Sequence, residues 1–311
     1  MPLVKQKSLL AAKIETTSGT AESLTSAEAA YNVFDLVMNA SITVTERMGN
    51  GSFSSLTGIT EARAATCTFR TEIYGDGAGG VPAWADVFFP ACGWVKTGAV
   101  FSPASGTPGT SIKTLTLAHY VDGYRKVMRG CAGSFKIVCE TGKLAHIEWT
   151  FSGVYVDLEA AALLTPTYPT RAPIRVANAP FTLGSWTPCF ARFEADAGNN
   201  VMLRPCQTAA DGSGLAAAHI TGRKVVCNFD PEMTLPGTFA PWTDWIDHTE
   251  RALSLELQDA DDSITIAAPK AQVLNAQEAD RNGIVTANIQ LGCNRSASAG
   301  DDELTITFAA A

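Results

Sequence analysis

An internal repeat constrains this chain more than any other feature. The run Ala64–Ile73 (Ala-Ala-Thr-Cys-Thr-Phe-Arg-Thr-Glu-Ile) is echoed by Lys224–Met233 (Lys-Val-Val-Cys-Asn-Phe-Asp-Pro-Glu-Met), with Cys, Phe and Glu coinciding at an offset of 160. Ala65, Cys67, Phe69 and Ile73 alternate with polar residues in the first run, as do Val225, Cys227, Phe229 and Met233 in the second. That period of two is the mark of a half-buried strand. After each run come a Gly-bearing turn and a Pro-led helix sharing Trp-x-Asp, Trp84 to Asp86 and Trp242 to Asp244. Proline suits the first helical turn because the N–H it lacks has no intrahelical partner there.

Each half then closes on another alternating strand. Ala145, Ile147, Trp149 and Phe151 interleave with His146, Glu148, Thr150 and Ser152; Val285, Ala287, Ile289 and Leu291 interleave with Thr286, Asn288 and Gln290. The expected organisation is two copies of one unit, 33–160 and 175–311. A proline-bearing extended linker, 161–174, joins them, and a Ser/Thr/Ala/Glu-rich mobile arm, 1–32, precedes them. The first copy is expected to insert an extra hairpin near Ile112–Met128. The fold class is mainly β: two tandem β-sandwich or half-barrel folds, each with one flanking α-helix.

Composition narrows the function. At 46% hydrophobic residues the chain has enough apolar material for a core, which excludes disorder. No run of 18 apolar residues predicts a membrane span. A net charge of −8 argues against tight nucleic-acid binding, which needs Lys and Arg to neutralise phosphates. The patch Ser8–Ala12 is too short for a secretory signal core, so synthesis in the cytoplasm is expected. Eight cysteines without a C-x-x-C pair, several alternating with apolar residues, read as reduced structural thiols.

No motif carries chemistry. Gly75–Gly80 matches G-x-G-x-x-G, but Pro82 opens the helix two residues later and Pro90 ends it early, so the run reads as a flexible connection. Asp259–Asp262 lacks the Gly and Glu of a calcium loop, with Ile264 and Lys270 in their places, and reads as a hairpin turn. The histidines (His119, His146, His219, His248) form no H-E-x-x-H and no spacing suited to zinc. No catalytic, cofactor or metal site is expected, and the chain is not read as an enzyme.

Several segments together resemble the major tail tube proteins of long, non-contractile, siphovirus-type phage tails, in duplicated form. They are Leu9–Glu22, Pro82–Trp94, Asp122–Lys126, Gly133–Lys136, Trp149–Tyr155, Ala268–Lys270 and Gly300–Ile306, spread along the whole chain. The resemblance implies tube folds whose inner sheets join across subunits into a barrel around a lumen. A chain with two such folds would make its ring as a homotrimer, pseudo-hexameric, and rings would stack into the channel through which genomic DNA leaves. Implied partners are the chain itself, the tape measure, the tail terminator and the distal tail protein, with DNA passing without sequence-specific binding. The implied location is the virion tail, assembled in the host bacterial cytoplasm, with no membrane and no cofactor. No immunoglobulin-like decoration is expected after Ala311.

The polar faces expected to line the lumen are Thr66, Thr68, Arg70 and Glu72 in the first half. In the second they are Lys224, Asn228, Asp230, Glu232, Thr286, Asn288 and Gln290. Ring stacking is assigned to two irregular loops: Arg47–Glu61, with Arg47, Asn50, Ser52 and Phe53, and Ala197–Ala218, with Asn199, Asn200, Met202 and Arg204. Three copies in a ring would carry about −24 before screening, enough to keep DNA off the wall. A second class, a two-domain β-sandwich binding module for carbohydrate or adhesion, requires an exposed aromatic platform in each half. Trp84 and Trp242 are instead expected on buried helix faces.

Overall fold

Alternation dominates the fold: the computed structural model, which describes residues 3–106, 112–209 and 211–311, is built almost wholly of strands. The first half carries β1 (Ser8–Ile14), β2 (Val33–Met48), β3 (Ser55–Glu72), helix α1 (Ala83–Ala91), β4 (Trp94–Thr97), β5 (Val100–Pro103), β6 (Leu115–Val121), β7 (Tyr124–Glu140) and β8 (His146–Ala160). The second carries β9 (Phe181–Leu183), β10 (Phe190–Asp196), β11 (Asn199–Pro205), β12 (Leu215–Arg223), β13 (Val226–Pro231), helix α2 (Pro241–Ile246), β14 (Glu250–Gln258), β15 (Asp262–Arg281), β16 (Ile284–Cys293) and β17 (Thr305–Ala310). The fold is mainly β with two short helices, as the alternation predicts.

The main sheet runs β2-β3-β8-β7-β10-β13-β16-β15-β17-β5-β4, with β6, β1, β14 and β9 branching from it, while β11 and β12 pair apart. Its midpoint is an antiparallel seam between β7 and β10, from Lys136↔Asp196 to Glu140↔Arg192. On one side of the seam Phe69 faces Trp149, which faces Phe135. On the other, Phe229 faces Ile289, which faces Ala276.

One apolar core runs through both halves. Its centre is aromatic. Trp149 is ringed by Phe69, Trp84, Phe88, Phe89, Phe135 and Phe151 at centroid separations of 5.3 to 6.4 Å. Its Nε1 donates to Thr71 Oγ1 at 2.8 Å, so the buried indole has no orphan donor. Phe308 of β17 packs on Trp84 and on Phe101, each at 6.0 Å, so the last strand of the chain covers the first helix.

Several expectations are corrected. The expected arm 1–32 is not free over its described residues: β1 pairs with β6 from Ser8↔Val121 to Ile14↔Leu115, and Leu10, Ala11 and Ala12 are buried. Glu15 beyond it is buried too, its carboxylate accepting from Thr114 Oγ1, Thr116 Oγ1 and the Gly19 and Gly130 amides. The short apolar patch is simply a strand. The hairpin β6–β7 has a counterpart in β14–β15, so the element peculiar to the first half is β4–β5. Residues 161–174 carry no strand or helix.

Neither stacking segment is an irregular loop. β2 and β3 pair out to Met48↔Ser55, which leaves only 49–54 as a turn. β11 and β12 pair from Asn199↔Arg223 to Pro205↔Leu215. The second hairpin bends sharply away from β10 and β13 at Gly198, where φ is +60° and a Cβ would lie 1.9 Å from the Lys224 carbonyl oxygen. Only glycine fits that bend. β2 and β3 are each one continuous strand, bulged near Ile42–Val44 and Thr45–Arg47, so the first hairpin is an extension of the same pair.

The Gly75–Gly80 run is neither a phosphate loop nor slack. It wraps the buried carboxylate of Asp262, which accepts from the Gly77 amide at 3.0 Å and the Gly79 amide at 3.3 Å and meets Arg171 Nη2 at 2.7 Å. Asp76 closes the turn by accepting from the Ala78 and Gly80 amides.

His119, buried on β6 with no partner for Nδ1, makes stability pH-dependent. Burial first, then Lys126 and Lys5, pushes its pKa down to about 4 from the ordinary 6.5. The folded chain keeps it neutral while the unfolded chain protonates it, so its contribution is complete above about pH 6.5 and is lost as pH falls toward 4. Urea midpoints should therefore drop between pH 7 and pH 4.5 more steeply for the parent than for His119→Gln; equal slopes would refute the assignment.

Candidate lumen face and assembly surfaces

Opposed residues in register share a face of a sheet, and here they define one polar surface across eight strands. Arg70 faces Glu148, Glu148 faces Lys136, and Lys136 faces Asp196 across the seam. Asn228 faces Gln290, and the Gln290 amide donates to Asn228 Oδ1 at 3.2 Å. Of the expected lumen residues, Thr66, Thr68 and Arg70 are exposed, Glu72, Asn228, Asp230, Glu232 and Gln290 are half-buried, and Asn288 is exposed. Two depart from expectation. Lys224 stands outside β13, exposed at the bend between β12 and β13. Thr286, although bridged to Glu232, is only 3% exposed, covered where β16 begins.

The basic side chains of this face are matched by carboxylates. Arg70 pairs with Asp35, and Lys136 Nζ lies 3.4 Å from Glu194. Arg192 reaches Glu140 at 3.2 Å and Glu194 at 2.6 Å through Nε. Arg281 reaches Asp230 at 3.2 Å and Glu232 at 2.8 Å. Lys143 and then Arg192 hold the Glu140 carboxyl below the usual carboxylate range, whereas desolvation raises Glu72. Exposed pairs of this kind contribute about 0–1 kcal/mol each to stability. Their larger consequence is electrostatic: the cations of this polar face are already matched by carboxylates of the same chain. Lys136, Glu148, Arg192 and Glu194 belong to this polar face and were not among the expected residues. The alternation Arg192, Glu194, Asp196 against Phe193, Ala195, Ala197 is the signal that marks them.

The two hairpins differ in what they offer a neighbour. At the tip of β2–β3, Met48, Phe53, Leu56 and Ile59 are exposed, Phe53 entirely, and Arg47, Asn50 and Ser52 surround them. β11–β12 instead lies back over β7 and β8 of the first half. There Asn199 Nδ2 donates to the Cys92 and Gly133 carbonyls at 2.7 and 2.9 Å, a tether rather than a contact for stacking. Arg129 pins the same hairpin through Asp211 and the Ala216 carbonyl. Burial would raise the Asp211 carboxyl, but Ser213 and Arg129 outweigh it and hold its pKa at about 2. Asn200, Met202 and Arg204 lie on β11, with Met202 exposed.

The helices differ as well. Trp84 on α1 is buried at 2% exposure, as expected, but Trp242 on α2 is 37% exposed and corrects the expectation. Trp84 and Trp242 therefore do not form a matched pair of exposed platforms, because the first lies inside the core.

A β-rich subunit with one buried and one polar sheet face, and with apolar side chains held out on a projecting hairpin, is a structural protein made to bury surface against neighbours. The family model described as phage tail tube protein matches residues 5–310, and the chain belongs to that family. It is a component of the virion tail that assembles with itself and with other tail proteins. A search of curated proteins returned no match to this chain. Among the described residues no helix is long and apolar enough to cross a membrane.

Proposed function

We propose that this chain is a duplicated tube subunit of a long, non-contractile, siphovirus-type tail. Its units are 33–160 and 175–311, joined by 161–174, and three copies close a pseudo-hexameric ring. The observation that carries this reading is the β7·β10 seam: one chain already holds two four-stranded sheets, β2-β3-β8-β7 and β10-β13-β16-β15, joined edge to edge. The order of strands and the core register are the same in both. Phe69 and Phe229, Trp149 and Ile289, Phe135 and Ala276 occupy equivalent places.

Rings stack through the β2–β3 hairpin, and the polar face lines the lumen. Its self-neutralised charges and the net charge of −8 per chain let genomic DNA slide without being bound. The chain is not an enzyme. Its partners at the tube ends and inside it are the tail terminator, the distal tail protein and the tape measure, and assembly takes place in the host bacterial cytoplasm. Purified protein at high concentration, imaged by negative-stain electron microscopy, should give threefold rings or hollow tubes. Rings of another symmetry, or protein that stays monomeric while turning over or tightly retaining a small ligand, would overturn the proposal.

A further inference from the structure

Granted the ring, we infer that the joint between subunits repeats the register of the internal seam, with its ion pair reversed in sign. The two strands that make the seam each have a counterpart at an end of the sheet. β7 corresponds to β15, because Phe135 and Ala276 hold equivalent places, and β10 corresponds to β2, because Ala195 faces Cys227 as Met38 faces Cys67. Both β2 and β10 carry a bulge in the same stretch, between Phe34 and Val37 and between Phe190 and Phe193, equivalent to within one residue. That alignment makes Arg192 equivalent to Asp35, Glu194 to Val37 and Asp196 to Asn39. On the other strand it makes Lys136 equivalent to Gln277, Val138 to Ala279 and Glu140 to Arg281.

Carrying the seam outward therefore sets Gln277 opposite Asn39, Ala279 opposite Val37, and Arg281 opposite Asp35 of the partner subunit. Each pairing is chemically sound: amide with amide, apolar with apolar, cation with anion. Inside the chain the last pair is Glu140 with Arg192 at 3.2 Å; between chains the signs are exchanged. The result is a row of alternating charge, Asp230, Arg281, Asp35, Arg70, whose outer pairs already exist within each chain.

The occupant is a second copy of this chain because both ends are unfinished in complementary ways. Among the described residues β2 pairs only with β3, and β15 beyond Gln272 pairs only with β16. Phe34 and Val37 are exposed along the β2 edge. α1, at the internal seam, has Trp84 and Phe88 at 2% and 0% exposure, whereas α2, beside β15, leaves the equivalent Trp242 and Ile246 at 37% and 75%. An apolar edge and an uncovered helix face at opposite ends of one sheet make a heterologous contact that closes into a ring.

The Ala197 amide donates to the Phe135 carbonyl at 3.0 Å, which makes the polar-face pairs of the seam the non-hydrogen-bonded ones. Such pairs hold Cα atoms about 4.5 Å apart, within disulfide reach. Oxidised rings of Asn39→Cys/Gln277→Cys should run as covalent trimers on non-reducing gels, at about ten times the yield of the shifted pair Asn39→Cys/Asn275→Cys, whose sulfurs lie out of reach. Val37→Cys/Ala279→Cys is the second in-register pair and should behave like the first. Rings that assemble without cross-linking through either in-register pair, or that cross-link better through the shifted one, overturn the register and leave the ring standing. If the parent chain forms no rings at all, both proposals fall.

Discussion

Replacing Met48 and Phe53 together by serine should leave the subunit as stable as the parent and abolish tube growth. Both side chains stand at the tip of the β2–β3 hairpin, and Phe53 touches almost nothing of its own chain. Surface substitutions of this kind change folding stability by no more than about 0.5 kcal/mol. If rings stack through this hairpin as proposed, the same side chains would bury apolar area at about 1.5–3 kcal/mol each, and each trimeric ring would contribute three hairpins. Losing both contacts should cut elongation by several orders of magnitude while single rings still form. Thermal unfolding and tube lengths on electron micrographs separate the two effects. Tubes of parental length from the double variant would remove the hairpin from stacking.

Trp149→Ala is expected to have the largest effect on the fold itself. The indole is the hub of the aromatic core and is 1% exposed. Its removal opens a cavity among Phe69, Phe88, Phe89 and Phe135 and strands the Thr71 hydroxyl. Large-to-small changes at such sites cost about 3–5 kcal/mol, or a fall in melting midpoint of roughly 10 °C for a chain of this size. Trp149→Phe keeps most of the packing but loses the hydrogen bond, so it should cost about 1–3 kcal/mol. A Trp149→Ala protein that melts within about 2 °C of the parent would mean that the core repacks around the gap.

Much of the fold was legible because burial on one side of a strand writes itself as a period of two. Cys67, Phe69 and Trp149, with Cys227, Phe229 and Ile289, showed both the strands and the side that faces the core. The errors have a common cause. The segments 1–32, 47–61 and 197–218 were read as arm and loops because Gly, Ser and Thr dilute the apolar signal. Yet β1 carries three consecutive buried residues, Leu10, Ala11 and Ala12. A strand whose both faces are exposed, as at the β2–β3 tip, has no need of an apolar face in one place. Thr286 alternates with Val285 and Ala287 as a polar-face residue should, yet it is buried, which alternation alone does not register.

The sequence by itself determined that the chain is β-rich, which residues alternate into its strands, and, through matched segments from Leu9 to Ile306, the family to which it belongs. These are local properties: period, spacing and residue type act within a few positions. Only the tertiary structure decided that β7 meets β10 and not another edge, that Asp262 fills the glycine-rich turn, and that Gly198 folds one hairpin back while the other projects. Those choices depend on which strand edges and side chains, often more than 50 positions apart, bury the most surface together. Edge pairing is made by backbone groups that every residue shares, so the side chains record the faces of a strand far more plainly than its partner.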